Sequence, residues 1–568
     1  MTGTGTVTDP YIIMTVDDLQ DMEDDLDAFY ELGGDIDASA TSTWNAGAGF
    51  VPIGTTDPTA GFTGQLDGKG YTIKDLYINR STTDYQALFY KTYNATIIDV
   101  LMTDANITGR EDVGSFIGAM YSGTIRDCQS TGHTISGSVS LTSVMVGGLI
   151  GVVYDDGTNE TIISDCYAQG DVSAADYVGG LIGFINASQN VTITDCYAAG
   201  AVTGTEGYAG GLIGIILFDT ATLSITGCYS TASVTGGPWT GGLIGGIGLD
   251  GGTFELDECY ATGDVTGQAA LGGLIGDIDT TSGSPVVTIT NCYATGDVTS
   301  SGTYGWISGV GGFIGYTDVG AITDCYATGV VDASASDDAQ GTGGFAGAID
   351  TGVEITQCYA AGDVVCGNPA SGQPYVGGFI GWLGTPTAGG TVSECFATGN
   401  VSGYDYVGGF VGYNDGTITD CYARGNVTAS YNVDPAVAGF AGTSGTIDNC
   451  YSTGEVTAPN ASDLTYIGGF GGGNYGSAVT DCFWDKETSG ITAYGDPAVA
   501  TSKTTAEMKT KKTFLDAQWD FSTIWGRFSH CNNAYPCLRR VTSGCSVRYK
   551  GNCNVDQLCF QHAERMQR

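Results

Sequence analysis

The sequence predicts an all-β protein, a right-handed parallel β-helix or β-solenoid of about 12–13 coils with small capping elements at both ends. Three observations predict this fold. A short motif recurs about every 32 residues, the segment after the motif alternates small and large side chains, and a pair of glycines stands at the same place in most copies. A period of this length is typical of solenoids, propellers and arrays.

The first half of the repeat reads VGGLIG at Val146–Gly151 and at Val178–Gly183. The paired glycines fit sharp corners, where a positive φ or a close approach of two backbones excludes a side chain. The leucine or phenylalanine and the isoleucine after them are expected to fill the interior of a coil. Similar copies begin at Ala209, Thr240, Leu271, Val310 and Val376, and looser copies at Val113, Thr342, Val407, Val437 and Ile467.

The second half of the repeat resembles ITDCYATGDVTG and indicates strands rather than helices. In one copy Cys166, Ala168 and Val172 alternate with Tyr167 and Asp171, which is a period of two. A propeller blade of the Trp-Asp class needs about 40 residues and its own signature, and a leucine-rich repeat needs a ladder of Leu and Asn. Neither signature is present in the sequence, so a β-helix remains.

Each copy of the second half contains one cysteine, and the alternation places all twelve on one face. We interpret them as a structural ladder of small buried thiols, against the alternative of a metal or redox wire. Stacked residues would lie about 4.8 Å apart, more than a disulfide prefers between its Cβ atoms. The ladder consists of Cys128, Cys166, Cys196, Cys228, Cys259, Cys292, Cys325, Cys358, Cys395, Cys421, Cys450 and Cys482.

An aromatic residue follows almost every ladder cysteine and is expected on the opposite face. Neighbours on one face of a sheet stabilise each other by about 0.2–1 kcal/mol, so the row has a purely structural interpretation. It is also a candidate platform for sugar rings. This candidate glycan-binding stripe comprises Tyr167, Tyr197, Tyr229, Tyr260, Tyr293, Tyr326 and Tyr359.

The G-L/F-x-G core and the strand after it resemble the GLUG repeat of large bacterial and archaeal surface proteins, some of them immunoglobulin A peptidases. The lead-in DIDASATSTWNAGAGFVPIG and the later FWDKETSG are similar to the segments that flank such repeats. The resemblance implies a scaffold found in proteins of differing roles, and no peptidase domain accompanies it here. We divide the chain into an N-terminal cap with lead-in strands (1–84), a GLUG-type β-solenoid (85–490), a C-terminal cap with a short helix (491–530) and a basic, Cys-rich tail (531–568).

The two ends carry helix signals and a separate group of cysteines. Thr15 is a candidate N-cap for a helix over 16–22, and Thr504 with Glu507 forms a capping box for a helix through about Lys512. The tail lacks the paired spacing of a zinc finger, so we predict disulfides in it. The candidates are Cys531, Cys537, Cys545, Cys553 and Cys559.

Charge excludes several partners. The formal net charge is −43, and no Lys or Arg lies between Arg126 and Arg424. Such a surface repels nucleic acids and anionic membranes, whose recognition needs cations. No signal peptide is visible at the N-terminus, and no apolar run reaches the roughly 18 residues that span a bilayer. We therefore expect no nucleic-acid partner and no membrane span, with export by a removed signal or another route.

These observations predict a non-catalytic structural or adhesive module at the cell surface or outside the cell, with no catalytic residues, metal or cofactor. Its expected partners are glycans, cell-surface proteins, or further copies joined head-to-tail into a filament. Two alternatives stay open. One is a bacteriophage tail fibre that binds a host, and the other is a polysaccharide hydrolase with two carboxylates. A lyase would also need a basic residue to take a proton. The coils over residues 127–423 contain no Lys or Arg and a single histidine, His133.

Overall fold

A computed structural model describes residues 1–54, 61–140, 143–280, 282–301, 309–335, 341–350, 352–368, 374–384, 390–431, 435–461, 465–474, 478–491, 500–527 and 532–541. The chain divides into two compact units, Met1–Thr299 and Ser300–Arg568. Both are β-solenoids built almost entirely from parallel strands, with about twelve coils in the chain. The predicted fold class is confirmed, and the right-handed sense of the coil stays a prediction.

One coil of the first unit shows how the repeat becomes structure. The strand Val178–Gly179 belongs to one parallel sheet, Ile182–Ala187 and Val191–Thr194 belong to a second, and Tyr197–Ala199 and Ala201–Gly204 belong to a third. Equivalent positions of the next coil pair in register, as Ile182 does with Ile213 and Tyr197 with Tyr229. Because the register is kept, each position of the motif becomes a column of like side chains.

The glycine pairs are required by close contact between backbones. A Cβ atom on Gly179 would lie 1.9 Å from the carbonyl oxygen of Ile182, and one on Gly180 would lie 2.2 Å from that of Gly211 in the next coil. A Cβ on Gly179 or Gly180 therefore requires the local backbones to move apart, and where other copies of the motif lack glycine at these two positions they carry only the small residues Ser115 and Ala438. Of the two reasons that the sequence left open, close approach is the one that applies to this pair.

The left-handed backbone conformation falls instead on the residue before each ladder cysteine. Eleven of these residues have φ between 47° and 59°, and the twelfth is Gly227 with φ of 67°. Asn and Asp tolerate this conformation better than other side chains, and glycine adopts it freely. The corner residues with side chains are Asp127, Asp165, Asp195, Glu258, Asn291, Asp324, Gln357, Glu394, Asp420, Asn449 and Asp481.

The N-terminal segment of the first unit stacks in the same way as the repeats. Strands Tyr11–Ile13, Phe29–Leu32, Gln65–Asp67 and Phe89–Ile98 pair successively in parallel. Helix α1, Val16–Gln20, lies between the first two strands, and Thr15 caps it in a capping box with Asp18.

The second unit has the same coil with different side chains in its interior. One of its coils consists of Tyr375–Gly377, Ile380–Leu383, Thr391–Ser393, Phe396–Ala397 and Val401–Gly403. The residue after the glycine pair is a buried leucine in five coils of the first unit and a buried phenylalanine here. These rings stack 4.6–4.9 Å apart, and they are Phe313, Phe345, Phe379, Phe410, Phe440 and Phe470.

The end of the second unit carries two short helices instead of one. Helix α2 is Thr505–Met508, with the expected capping box of Thr504 and Glu507, and helix α3 is Lys511–Leu515. The predicted single helix is interrupted because Thr510 is extended, with φ of −110° and ψ of 114°. None of the helices within the described ranges is long and apolar enough to cross a bilayer.

Candidate functional site

The ladder cysteines bond one coil to the next. In the first unit the amide N–H of Cys228 donates to Sγ of Cys259 at 3.4 Å, and Cys196 and Cys259 repeat the bond with their own next coils. The Cys259 thiol in turn contacts the carbonyl oxygens of Asp257 at 3.2 Å and Ile225 at 3.6 Å. The thiol therefore accepts a hydrogen bond from a backbone amide at the corner of the coil, next to the strands.

The same bonds recur in the second unit, from Cys325 to Cys482, at 3.3–3.4 Å. All twelve ladder cysteines are buried. Burial raises the pKa of the Cys259 and Cys358 thiols well above the ordinary value, which keeps them protonated and able to donate. This environment is structural, since a reactive cysteine needs access and a stabilised thiolate.

Replacing Cys259 with alanine is expected to lower the free energy of unfolding by about 1–3 kcal/mol, because the Cys228 amide loses its acceptor inside the coil. Cys259→Ser keeps a donor and an acceptor at the site and is expected to cost less. Urea denaturation of the full chain, followed by circular dichroism, gives both midpoints. Equal midpoints for the alanine and serine variants would contradict a hydrogen-bonding role of the thiol.

The tyrosine stripe forms a closed stack in the first unit. From Tyr167 through Tyr293 successive ring centroids lie 4.6–4.8 Å apart, with planes within 8° of parallel. Each inner ring thus has both faces covered by its neighbours, and no sugar ring fits between them. Edges and hydroxyls remain for a ligand. Tyr293 is only 6% exposed, whereas Tyr167, Tyr197, Tyr229 and Tyr260 are half-buried.

In the second unit the stripe is covered by the chain itself. Met508, Phe514, Trp519, Phe521 and Trp525 pack on it in one buried cluster. The stripe residues in this cluster are Phe396, Tyr422, Tyr451 and Phe483. The candidate stripe residue Tyr359 packs against its edge, and Tyr326 is 4% exposed. Glycan binding by the stripe stays a prediction, and its half-buried part runs from Tyr167 to Tyr260.

Acidic and amide side chains five residues after the cysteine also bond successive coils. Asp264 Oδ1 accepts the amide of Asp297 at 3.0 Å, and Asp363 Oδ1 accepts that of Asn400 at 2.7 Å. Asn400 then accepts the amide of Asn426 at 3.1 Å. These oxygens are engaged with the backbone. Across the described ranges, no three or more His, Cys, Asp or Glu side chains form a group that could hold a metal ion.

The predicted tail disulfides fall almost entirely outside the described residues: Cys531, Cys545, Cys553 and Cys559 lie there, as do the basic residues from Arg548 onward. Cys537 is described, is buried, and contacts the carbonyl oxygen of Gly526 at 3.7 Å. No disulfide is present within the part of the chain that the structure describes. The pairing in the tail, and head-to-tail assembly through it, stay predictions.

His133 is enclosed in the first unit. Its side chain is 2% exposed, and its Nδ1 lies 2.9 Å from the hydroxyl of Ser130. Burial lowers the pKa of His133 to about 4, so the ring is neutral at neutral pH. It is inaccessible to a polysaccharide.

A second aromatic group, which sequence reasoning missed, lies on the first unit. We call it the outer aromatic cluster. Its half-buried members pack against the buried residues Ala119, Val152, Phe184 and Ile215. They are Tyr85, Tyr121, Met145, Tyr154, Tyr177 and Tyr208. A signal was available, since Tyr177 and Tyr208 stand directly before copies of the glycine motif, and Trp239 stands before the next copy.

Comparison with known proteins agrees with this architecture. The model of the GLUG motif matches residues 308–332 and 403–428. Halomucin of Haloquadratum walsbyi is 43% identical over 157 residues, which is 26% of this chain and 2% of Halomucin. The chain is a GLUG-repeat β-solenoid protein. A protein of Evansella cellulosilytica named as a Gly-rich membrane protein is 39% identical over 70 residues, 12% of this chain and 8% of that protein.

The matched parts of this GLUG-repeat protein thus span only a small share of the length of either relative. A crystal structure of a protein described as an immunoglobulin A1 protease, from Bacteroides ovatus, is 23% identical. The likeness covers 47% of this chain and 79% of that one, with a TM-score of 0.37, which is too distant to bear on function.

Proposed function

We propose that this GLUG-repeat protein is a non-catalytic structural and adhesive module at the cell surface. The names of its relatives support a surface setting, since one is Halomucin and the other is named as a membrane protein. The acidic charge favours a hydrated, soluble exterior and opposes binding to nucleic acid.

The proposal rests on one observation: the repeated polar residues form hydrogen bonds between successive coils. In eight repeats the cysteine Sγ accepts the amide of the cysteine in the coil before it. Aspartates and asparagines five residues after a cysteine, such as Asp264, Asp363 and Asn400, accept an amide of the coil after it. The glycine pair lets the backbones meet. A repeat whose polar side chains bond one coil to the next builds an extended scaffold.

Non-catalysis is supported by the same geometry. His133, the histidine of the coils, is buried with a lowered pKa. Asp264 and Asp363 each accept a backbone amide of the next coil, so these carboxyl oxygens are engaged. A glycosidase needs two free carboxyl groups facing one bond.

Two measurements test the proposal. Protease added to intact source cells should degrade the protein while a cytoplasmic enzyme survives, and protection of the protein would refute the surface role. The purified full chain should bind cells without releasing reducing ends from a polysaccharide panel. Release of reducing ends would favour the hydrolase alternative instead.

A further inference from the structure

The outer aromatic cluster is built on the outward side of the first unit. Its floor residues pair in register in successive coils, Ala119 with Val152, Val152 with Phe184, and Phe184 with Ile215. Each precedes a core residue of its strand, as Val152 precedes Val153, so the floor lies on the face opposite the coil interior. Buried apolar side chains on an outward face require a cover, and tyrosines provide it.

The covering rings are arranged more loosely than those of the stripe. Tyr121 and Tyr154 have centroids 5.3 Å apart and planes 31° apart, and Tyr177 and Tyr208 are 5.9 Å and 39° apart. Tyr177 leans over Phe184 at 5.5 Å and 30°. Tyr121 and Tyr208 also stack on Tyr93 and Trp239, at 4.6 Å and 4.7 Å. The ring contacts of Tyr154 and Tyr177 are tilted or edge-on and both side chains are half-buried, so these two rings are the candidates for contact with a ligand.

A buried acid with one unbonded carboxyl oxygen, Asp112, lies next to this cluster. The amide of Tyr85 donates to the carbonyl oxygen of Glu111, and the amide of Val113 donates to that of Met145, each at 2.9 Å. Asp112 is 5% exposed, and its Oδ1 has no hydrogen-bond partner within the described residues. Burial first, and then the carboxyl group of Asp112, raises the pKa of Tyr85 and raises that of Tyr154 to about 12. An unpaired buried carboxyl is costly, and such groups concentrate where a ligand completes the bonding.

The cluster also holds one cation of its own. The Lys91 ammonium lies 4.3 Å from the ring centroid of Tyr85 and 5.5 Å from that of Tyr90. This cation–π contact fills the position that a cationic ligand would take over Tyr85. An anionic ligand would meet a chain of net charge −43, so uncharged ligands are favoured.

We propose that the outer aromatic cluster is a binding site for an uncharged glycan, whose ring faces pack on Tyr154 and Tyr177 and one of whose hydroxyls donates to Asp112. Aromatic faces with a few placed polar groups are what such a ligand requires. The inference rests on the proposed surface function for its biological setting, but the site is tested on the purified protein alone.

The test measures binding of the full chain to uncharged oligosaccharides of glucose, mannose, galactose and xylose, with oligogalacturonate as the anionic probe. At least one uncharged oligosaccharide should bind, and Tyr154→Ala combined with Tyr177→Ala should weaken it by about tenfold or more. Tyr197→Ala distinguishes the stripe from the cluster, and the matched control is Tyr466→Ala, an exposed tyrosine outside both, which should leave the affinity unchanged. Each variant is first shown to keep the parental circular dichroism.

Asp112→Asn separates binding from folding. Removing a buried charge should raise the unfolding midpoint at pH 8, where the carboxyl, whose pKa burial raises to about 7, is ionised. The same change should weaken binding of the oligosaccharide by about tenfold, because the carboxylate is a stronger hydrogen-bond acceptor than the amide that replaces it. If Asp112 only supported the fold, its replacement would not stabilise the protein. A variant that is more stable and yet binds more weakly therefore shows a role of Asp112 in binding.

Three outcomes of the oligosaccharide measurements would overturn the inference, and so would a fourth outcome with a protein ligand. The three are no binding of any uncharged oligosaccharide, equal or tighter binding of oligogalacturonate, and loss of binding in Tyr197→Ala but not in the cluster variant. If the cluster variant instead loses only attachment to a purified surface protein, the site is a protein interface and the glycan proposal fails. Protection from protease on intact cells would refute the surface role and leave these results standing.

Discussion

Replacing Gly242 with alanine is expected to destabilise the first unit by about 3 kcal/mol or more. Gly242 is the second glycine of its pair, and a Cβ there would lie 2.1 Å from the carbonyl oxygen of Gly273 in the next coil. Backbone meets backbone at this point, so relief requires the coils to separate. Urea denaturation of the full chain, read by circular dichroism, measures the loss.

Two variants serve as controls, an alanine at a nearby glycine and a serine at Gly242 itself. Gly248→Ala would bring its Cβ 2.7 Å from Leu217 Cδ2, the end of an exposed side chain that can turn away, and should cost below about 1 kcal/mol. Gly242→Ser introduces the same Cβ and should also destabilise the unit, but by less than Gly242→Ala, because its hydroxyl can donate to the carbonyl oxygen of the next coil. At the same motif position Ser115 donates its hydroxyl to the carbonyl oxygen of Gly148 at 2.6 Å. Equal midpoints for Gly242→Ala and Gly248→Ala would refute the account of the pair.

The coil could be predicted from the sequence because its determinants are local and repeated. The alternation around Cys166 and the period of the glycine motif specify strands and their stacking without any distant contact. The corner before the cysteine was also readable, since Asp165, Asp195 and Gly227 are the residue types that accept a positive φ. The glycine pairs are also suited to a positive φ, and this makes them the more evident candidates for the corner.

The bonds between coils could not be predicted from composition. The row of acids that includes Asp264 and Asp363 has the chemistry of a cation site, and only the register shows their oxygens on the amides of the next coil. The cysteines likewise gave no sign that Sγ of Cys259 would accept the amide of Cys228. Both roles depend on distances between residues some 30 positions apart, as in the 31-residue separation of this last pair.

The contact between the C-terminal segment and the stripe of the second unit joins residues that are far apart in the sequence. Tyr451 donates its hydroxyl to the carbonyl oxygen of Pro536 at 2.6 Å, across 85 positions of sequence. Trp519 Nε1 donates to the carbonyl oxygen of Asp481 at 2.9 Å. Trp519 and Trp525 are large apolar residues near the C-terminus, but no local pattern around them identifies the surface that they cover. The same row of rings is therefore half-buried in one unit and a packing surface in the other.

Trp525→Ala is expected to lower the stability of the second unit by about 3–5 kcal/mol. Trp525 is fully buried, 4.5 Å from the ring of Trp519 and 6.0 Å from that of Tyr451. Its loss leaves a large cavity between the C-terminal segment and the stripe. Limited proteolysis should then cut within 500–527 while coils of the first unit stay intact, and urea denaturation should give an earlier first transition.

Trp525→Phe tests the polar half of the same contact. Trp525 Nε1 donates to Asp420 Oδ1 at 2.8 Å, and burial raises the pKa of Asp420 to about 6. A raised carboxyl pKa means that the folded state holds its proton more tightly than the unfolded state. The stability that this gives is fully present below about pH 4 and is lost as pH rises through about 6. At pH 8 the carboxylate needs the indole donor, so Trp525→Phe should cost more at pH 8 than at pH 5. A cost that does not change with pH would show that Trp525 acts through packing alone.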